Sequence, residues 1–134
     1  MNKVLAHSVA EPAWVGFKGE VLAIESRFGT LRVEIGELGG PRKIDVLFPH
    51  AEAFRVMDER DLGEYWPACS TPNGWIFEVT DGGWLKQELE RPNSLVARIH
   101  HGIREFLIAG VDDCVSVLSL NKPEMRVLGP ENEA

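Results

Sequence analysis

Cysteine is scarce in this chain: Cys69 and Cys114 are the only two in 134 residues, too few for the disulfide framework of a small secreted domain. Long apolar runs are missing as well. The longest, such as FLIAG at 106–110, fall far short of the roughly 18 residues that a membrane-spanning helix needs. The opening residues MNKVLAHSVAEPAW contain no apolar stretch of signal-peptide length. No internal repeat, low-complexity segment or long linker divides the chain. These absences lead to the expectation of a single cytoplasmic domain over 1–134 with no membrane partner. Also missing are a G-x-S-x-G elbow, a phosphate-cradling glycine loop and a dinucleotide fingerprint. We therefore expect neither an enzyme nor a cofactor.

What is present is acid. The formal net charge is −7, from 21 acidic and 14 basic residues. Up to Pro67 there are 11 acidic and 8 basic residues, and beyond it 10 and 6, so the acidity is spread along the chain and is not confined to a tail. Such a surface repels a phosphate backbone, which argues against nucleic acid, and suits a basic protein partner. Apolar residues make up 44%, enough for a core that needs no metal or disulfide to hold it.

Strand signals dominate. In GEVLAIESRFGTLRVEIG, Leu22 and Ile24, then Leu31, Val33 and Ile35, alternate with polar or small residues about SRFG. That is the pattern of a hairpin with one face buried. ELGGPR at 37–42 is loop chemistry. KIDVLFP places Ile44, Val46 and Phe48 on one face, and Pro49 ends the strand. AFRVMDE separates Phe54 and Val56 from Arg55 and Met57. IREFLIAGVDDCVSVLSL reads as two strands joined at GVDD, apolar on both faces and hence central in a sheet. PEMRVLG adds a short last strand, and residues 130–134 should fray. The fold expected is α+β: a curved, mainly antiparallel sheet with one to three short helices.

The best short helix is DERDLGEYW at 58–66. Asp58 is its N-cap, acids fill its first turn, and Leu62, Tyr65 and Trp66 form an apolar stripe. Pro67 should stop it. The acidic residues Asp58, Glu59, Asp61 and Glu64, with the anchor-type residues Tyr65 and Trp66, are the candidate binding surface. In GWIFEVTDGGWLK, a two-residue Asp81-Gly82 turn pairs Val79 with Trp84 and sends both tryptophans into the core. A three-residue turn moves Trp84 to the opposite face, and a helix starting at Trp84 removes both arrangements. The two-residue turn is the expectation carried forward. Residues 84–102 fit helix or strand.

Histidine and cysteine supply no complete constellation. His50 and Glu52 have the H-x-E spacing of a zinc deaminase, but PACST offers one cysteine where that site needs two. His100 and His101 are adjacent and would point to opposite faces of a strand. Two carboxylates beside Cys114 oppose thiolate formation, so it reads as a buried structural residue, with Cys69 the more exposed of the pair. No metal site is expected. The competing reading is a small enzyme or a metal- or ligand-binding protein using His50, His100 or His101 with Asp112 and Asp113.

FRVMDERDLGEYW, PNGWIFEVTDGGWL and REFLIAGVDDCVSVLS together resemble a group of small, acidic, immunity-protein-like bacterial proteins of unknown activity. The shared pattern is F/Y-R-V-x-D-E, then a G-W strand ending in G-G-W-L, then E-[FY]-L-I leading to D-D-C-V-S-V. It spans about Phe54 to Ser119. The resemblance implies a cytosolic binding protein that neutralises a partner toxin. It carries over no catalytic or binding residue.

Overall fold

The computed structural model describes residues 3–14, 16–70, 73–94, 96 and 102–128. Nine strands occur among them: β1 (Leu5–Ser8), β2 (Gly19–Arg27), β3 (Thr30–Glu37), β4 (Lys43–Phe48), β5 (Ala51–Asp58), β6 (Ile76–Asp81), β7 (Arg104–Ala109), β8 (Asp113–Ser119) and β9 (Glu124–Leu128). Two short α-helices, α1 (Trp66–Cys69) and α2 (Trp84–Glu90), and two 3-10 turns, Pro12–Trp14 and Glu59–Asp61, complete the described elements. The fold is α+β and its pairings are antiparallel.

The expectation of one curved sheet is corrected. The strands divide into a five-stranded sheet, ordered β1-β6-β7-β8-β5, and a four-stranded sheet, ordered β2-β3-β4-β9, without strong curvature. The chain changes sheet between β1 and β2, at Pro49-His50 between β4 and β5, and again between β8 and β9. Proline cannot donate to a ladder, so the strand ends there and the next one joins the other sheet. Stacking, not curling, then buries the apolar faces.

Two apolar layers result. Leu31, Val33, Ile35, Ile44, Val46 and Phe48 of the smaller sheet pack against Ile76, Phe106, Ile108, Val115 and Val117 of the larger, with Trp14, Phe17 and Trp75 among them. The opposite face of the larger sheet carries Phe77, Val79, Leu107 and Cys114 under Leu62, Tyr65 and Cys69. Both faces of β7 and β8 are covered, as their continuous apolar sequence requires. On the outer face of the smaller sheet, Asp45 is buried between Arg32 and Arg126, at 3.0 and 3.1 Å.

Local corrections have local causes. Leu22 is 46% exposed because a β-bulge lies at that point of β2, and one inserted residue moves a side chain to the other face. Leu22 covers Gly36 there. Trp75 and Phe77 do not share a face. Trp75 precedes β6 and joins the layer between the sheets, whereas Phe77 faces the helices. After β6 the chain takes neither hairpin register, because α2 begins at Trp84. Asp81 Oδ1 accepts from Gly82 N (2.8 Å), and Gly82 has φ +78°. The expected fraying at 130–134 lies outside the described residues.

The SRFG hairpin forms, with Arg27 opposite Thr30 and a two-residue turn at Phe28-Gly29. Both turn residues have positive φ, 49° and 81°. Glycine takes that conformation freely, but a fully exposed phenylalanine in it has no contact to offset the strain. Replacing Phe28→Asn should stabilise the protein by about 0.5–1 kcal/mol. Urea unfolding should show this as a raised midpoint at unchanged slope.

Candidate functional site

The acidic segment does not form the helix expected over 58–66. Asp58 ends β5 opposite Asp113, so its backbone is committed to the ladder. It still caps: its Oδ1 accepts from Arg60 N at 2.8 Å and opens the 3-10 turn at 59–61. Successive turns follow, Leu62 N to Glu59 O and Tyr65 N to Leu62 O. Pro67 sits in the first turn of α1 instead of stopping a helix, because a first-turn residue needs no N–H.

Tertiary structure adds to this segment. Glu59 N donates to Asp112 O at 2.8 Å, so the β7–β8 turn lies against it. Asp112 and Asp113, 51 or more positions beyond Asp61 in sequence, join Asp58, Glu59 and Asp61 at one edge. Asp61, Glu64, Asp112 and Asp113 are exposed. Arg60 is the basic residue within the segment, and Asp58 holds it with both oxygens, Nε–Oδ1 and Nη2–Oδ2 each at 2.9 Å. The side-chain hydrogen bonds from Arg60 lower the Asp58 carboxyl to about 2. The same pairing raises Arg60, with Asp61 and Asp112 adding to it.

Tyr65, expected as a binding anchor, is buried (1% exposed). Its hydroxyl donates to Glu105 Oε2 at 2.9 Å and accepts from Trp84 N at 2.9 Å. Glu105, also 1% exposed, further accepts from Trp84 N (3.2 Å) and Leu85 N (2.8 Å). This carboxylate therefore takes up the free N–H groups at the start of α2. A Cβ on Gly83 would stand 2.6 Å from it, so only glycine fits there. Arg55 lies over the Trp84 ring, 4.6 Å from its centroid. Burial and the neighbouring Glu105 charge raise the Tyr65 hydroxyl above its ordinary range. Sequence reasoning passed over Glu105, although a lone carboxylate in the apolar run FLIA's own strand was a visible signal.

Trp66 is half-buried, and its Nε1–H donates to Glu59 O at 3.0 Å. It lines a cleft of roughly 420 Å³ with Glu59, Phe17, Lys18, Leu38, Ser70, Trp75 and Val111. Two expected binding residues, Glu59 and Trp66, thus meet in this cleft. Its other walls come from segments with no site-like pattern in sequence.

Of the histidines in the competing reading, His50 is the one within the described residues. His50 lies at the opposite end of β5 from Asp58 and Asp113, roughly 23 Å along the strand, beside Arg104 and Lys122. His100 and His101 lie outside the described residues. Among the described residues no three His, Cys, Asp or Glu side chains come together to hold a metal. Cys69 is not the more exposed cysteine; both are fully buried and unpaired. Burial, with the Glu105 charge, pushes the Cys69 thiol up to about 12. Burial, with Glu59, Asp113 and Asp58 adding to it, raises Cys114 to about 11, against a smaller opposing effect of the Gly110 backbone. Neither is an activated nucleophile.

Comparison with family models, curated proteins and solved structures yields no match to this chain.

Two outcomes follow from this geometry. Tyr65→Phe removes a buried hydroxyl with a donor and an acceptor role, and should destabilise the fold by about 1–3 kcal/mol in urea unfolding. Both thiols should resist iodoacetamide at pH 8 in the folded protein and react fully in denaturant, read by intact mass.

Proposed function

We propose that this chain is a non-enzymatic protein-binding module whose acidic edge docks a basic protein, in the manner of an immunity protein that neutralises its toxin. The observation that carries the reading is the meeting of two acidic segments. Asp58, Glu59 and Asp61 come from one connection and Asp112 and Asp113 from another, and Arg60 is already engaged by Asp58. Gathering like charges opposes folding locally, and a cationic partner relieves it. A field of this kind speeds encounter with basic proteins and rejects acidic ones. Exposed Asp61 and Glu64 stand where a partner can reach them, while Trp66 offers an aromatic surface beside them. Tyr65 supports the edge from inside.

The immobilised chain should capture a basic protein from its own cells at low salt, with weaker capture as salt rises. Asp61→Lys combined with Glu64→Lys should weaken binding of the purified partner by about tenfold or more. Glu11→Lys with Glu124→Lys, an equal charge change at exposed positions away from this edge, should leave most of it. Failure to recover a partner at low and moderate salt, or equal binding by both charge-reversed proteins, would count decisively against the reading.

A further inference from the structure

The cleft beneath Trp66 has the features of a small-molecule site as well as those of a rim to the acidic edge. Its volume of roughly 420 Å³ lies within the range of about 300–1,000 Å³ usual for such sites. Phe17 and Trp75 pack edge to face, with ring centroids 5.3 Å apart, and both belong to the apolar layer between the sheets. Trp66 is fixed by its bond to the Glu59 carbonyl. Leu38, 47% exposed, and Val111 stand at the lip. An aromatic wall held in place, as Trp66 is, stacks a planar molecule without first having to be ordered.

The polar groups narrow the ligand. Glu59 lies in the lining, and Asp58, Asp112 and Asp113 are close by, so an anion is repelled despite exposed Lys18. Trp75 borders the cleft, is 2% exposed, and its Nε1–H has no acceptor among the described residues. A buried donor without a partner is uncommon and destabilising, and an incoming acceptor removes the deficit.

We propose that the cleft binds a small, flat molecule without negative charge that bears a carbonyl or ring-nitrogen acceptor, stacked along Trp66 and hydrogen-bonded to the Trp75 indole. Neighbouring atoms close that N–H to solvent, so a small turn of the ring accompanies binding. Binding here needs no protein partner, although Glu59 and Trp66 belong to both surfaces, and the acidic edge enters by excluding anions.

Nicotinamide and nicotinate make a matched pair of probes, alike in ring and size but neutral and anionic. In the ¹⁵N-labelled protein, nicotinamide should move the assigned indole N–H resonances of Trp66 and Trp75 saturably. A millimolar midpoint is what a fragment of about nine non-hydrogen atoms supports. Nicotinate should bind about tenfold more weakly or worse. Val111→Trp and Leu38→Trp, which fill the mouth from different segments, should each weaken nicotinamide by about tenfold if the amide spectrum stays dispersed. If one variant unfolds, the other decides. No saturable movement at either indole, an equal response to nicotinate, or an undiminished response in the folded filled variants overturns the proposal.

Discussion

One buried carboxylate organises the helical side of this protein. Glu105 rises from β7 into the layer formed by Phe77, Val79 and Leu107, where an unpaired charge would be very unfavourable. It is kept there by the Tyr65 hydroxyl and the backbone N–H groups of Trp84 and Leu85. These donors come from the 62–65 turns and from α2, so the central sheet is tied to both connections that cover it. Tyr65 is followed directly by Trp66, and Trp66 reaches back to Glu59. Through this chain of bonds a charge in the middle of the sheet sets the wall of the cleft and the course of the acidic segment above it.

The acidic edge and the cleft differ in how they are built. The edge brings Asp58 and Asp113 opposite each other across a β-ladder, an arrangement that is unfavourable for like charges and is eased by Arg60 at Asp58. The cleft is assembled from apolar side chains of the shared core that reach the end of the sandwich, with Glu59 belonging to both. A protein partner and a small ligand would therefore act on adjoining surfaces that share Glu59 and Trp66. No helix among the described residues is long and apolar enough to cross a membrane, and none of the features discussed above depends on one.

Much of the sheet was legible because burial on one face leaves a period of two. Leu31, Val33, Ile35, Ile44, Val46 and Phe48 occupy their expected inner positions, and β7 and β8 are covered on both sides. The errors fall where period two is interrupted or where local preference meets a tertiary partner. A bulge turned Leu22 outward. Asp58 has the side chain of a helix cap, yet the pull of the β5–β8 ladder reduced its helix to a single 3-10 turn. The Asp-Gly-Gly after β6 has hairpin chemistry, but Glu105 waits behind it to receive the N–H groups of α2, so a helix starts at Trp84.

Of the candidate site, residue chemistry marked Glu59 and Trp66, and composition marked the acidity. Alternation and composition by themselves determined an antiparallel α+β protein with buried strands, because each residue's preference for water or core acts locally along the chain. Tertiary structure alone decided that those strands form two stacked sheets, that Tyr65 turns inward, and that Asp112 and Asp113 meet Asp58 to Asp61. Those outcomes depend on pairings between distant segments, and nothing in either segment's own pattern specifies the other.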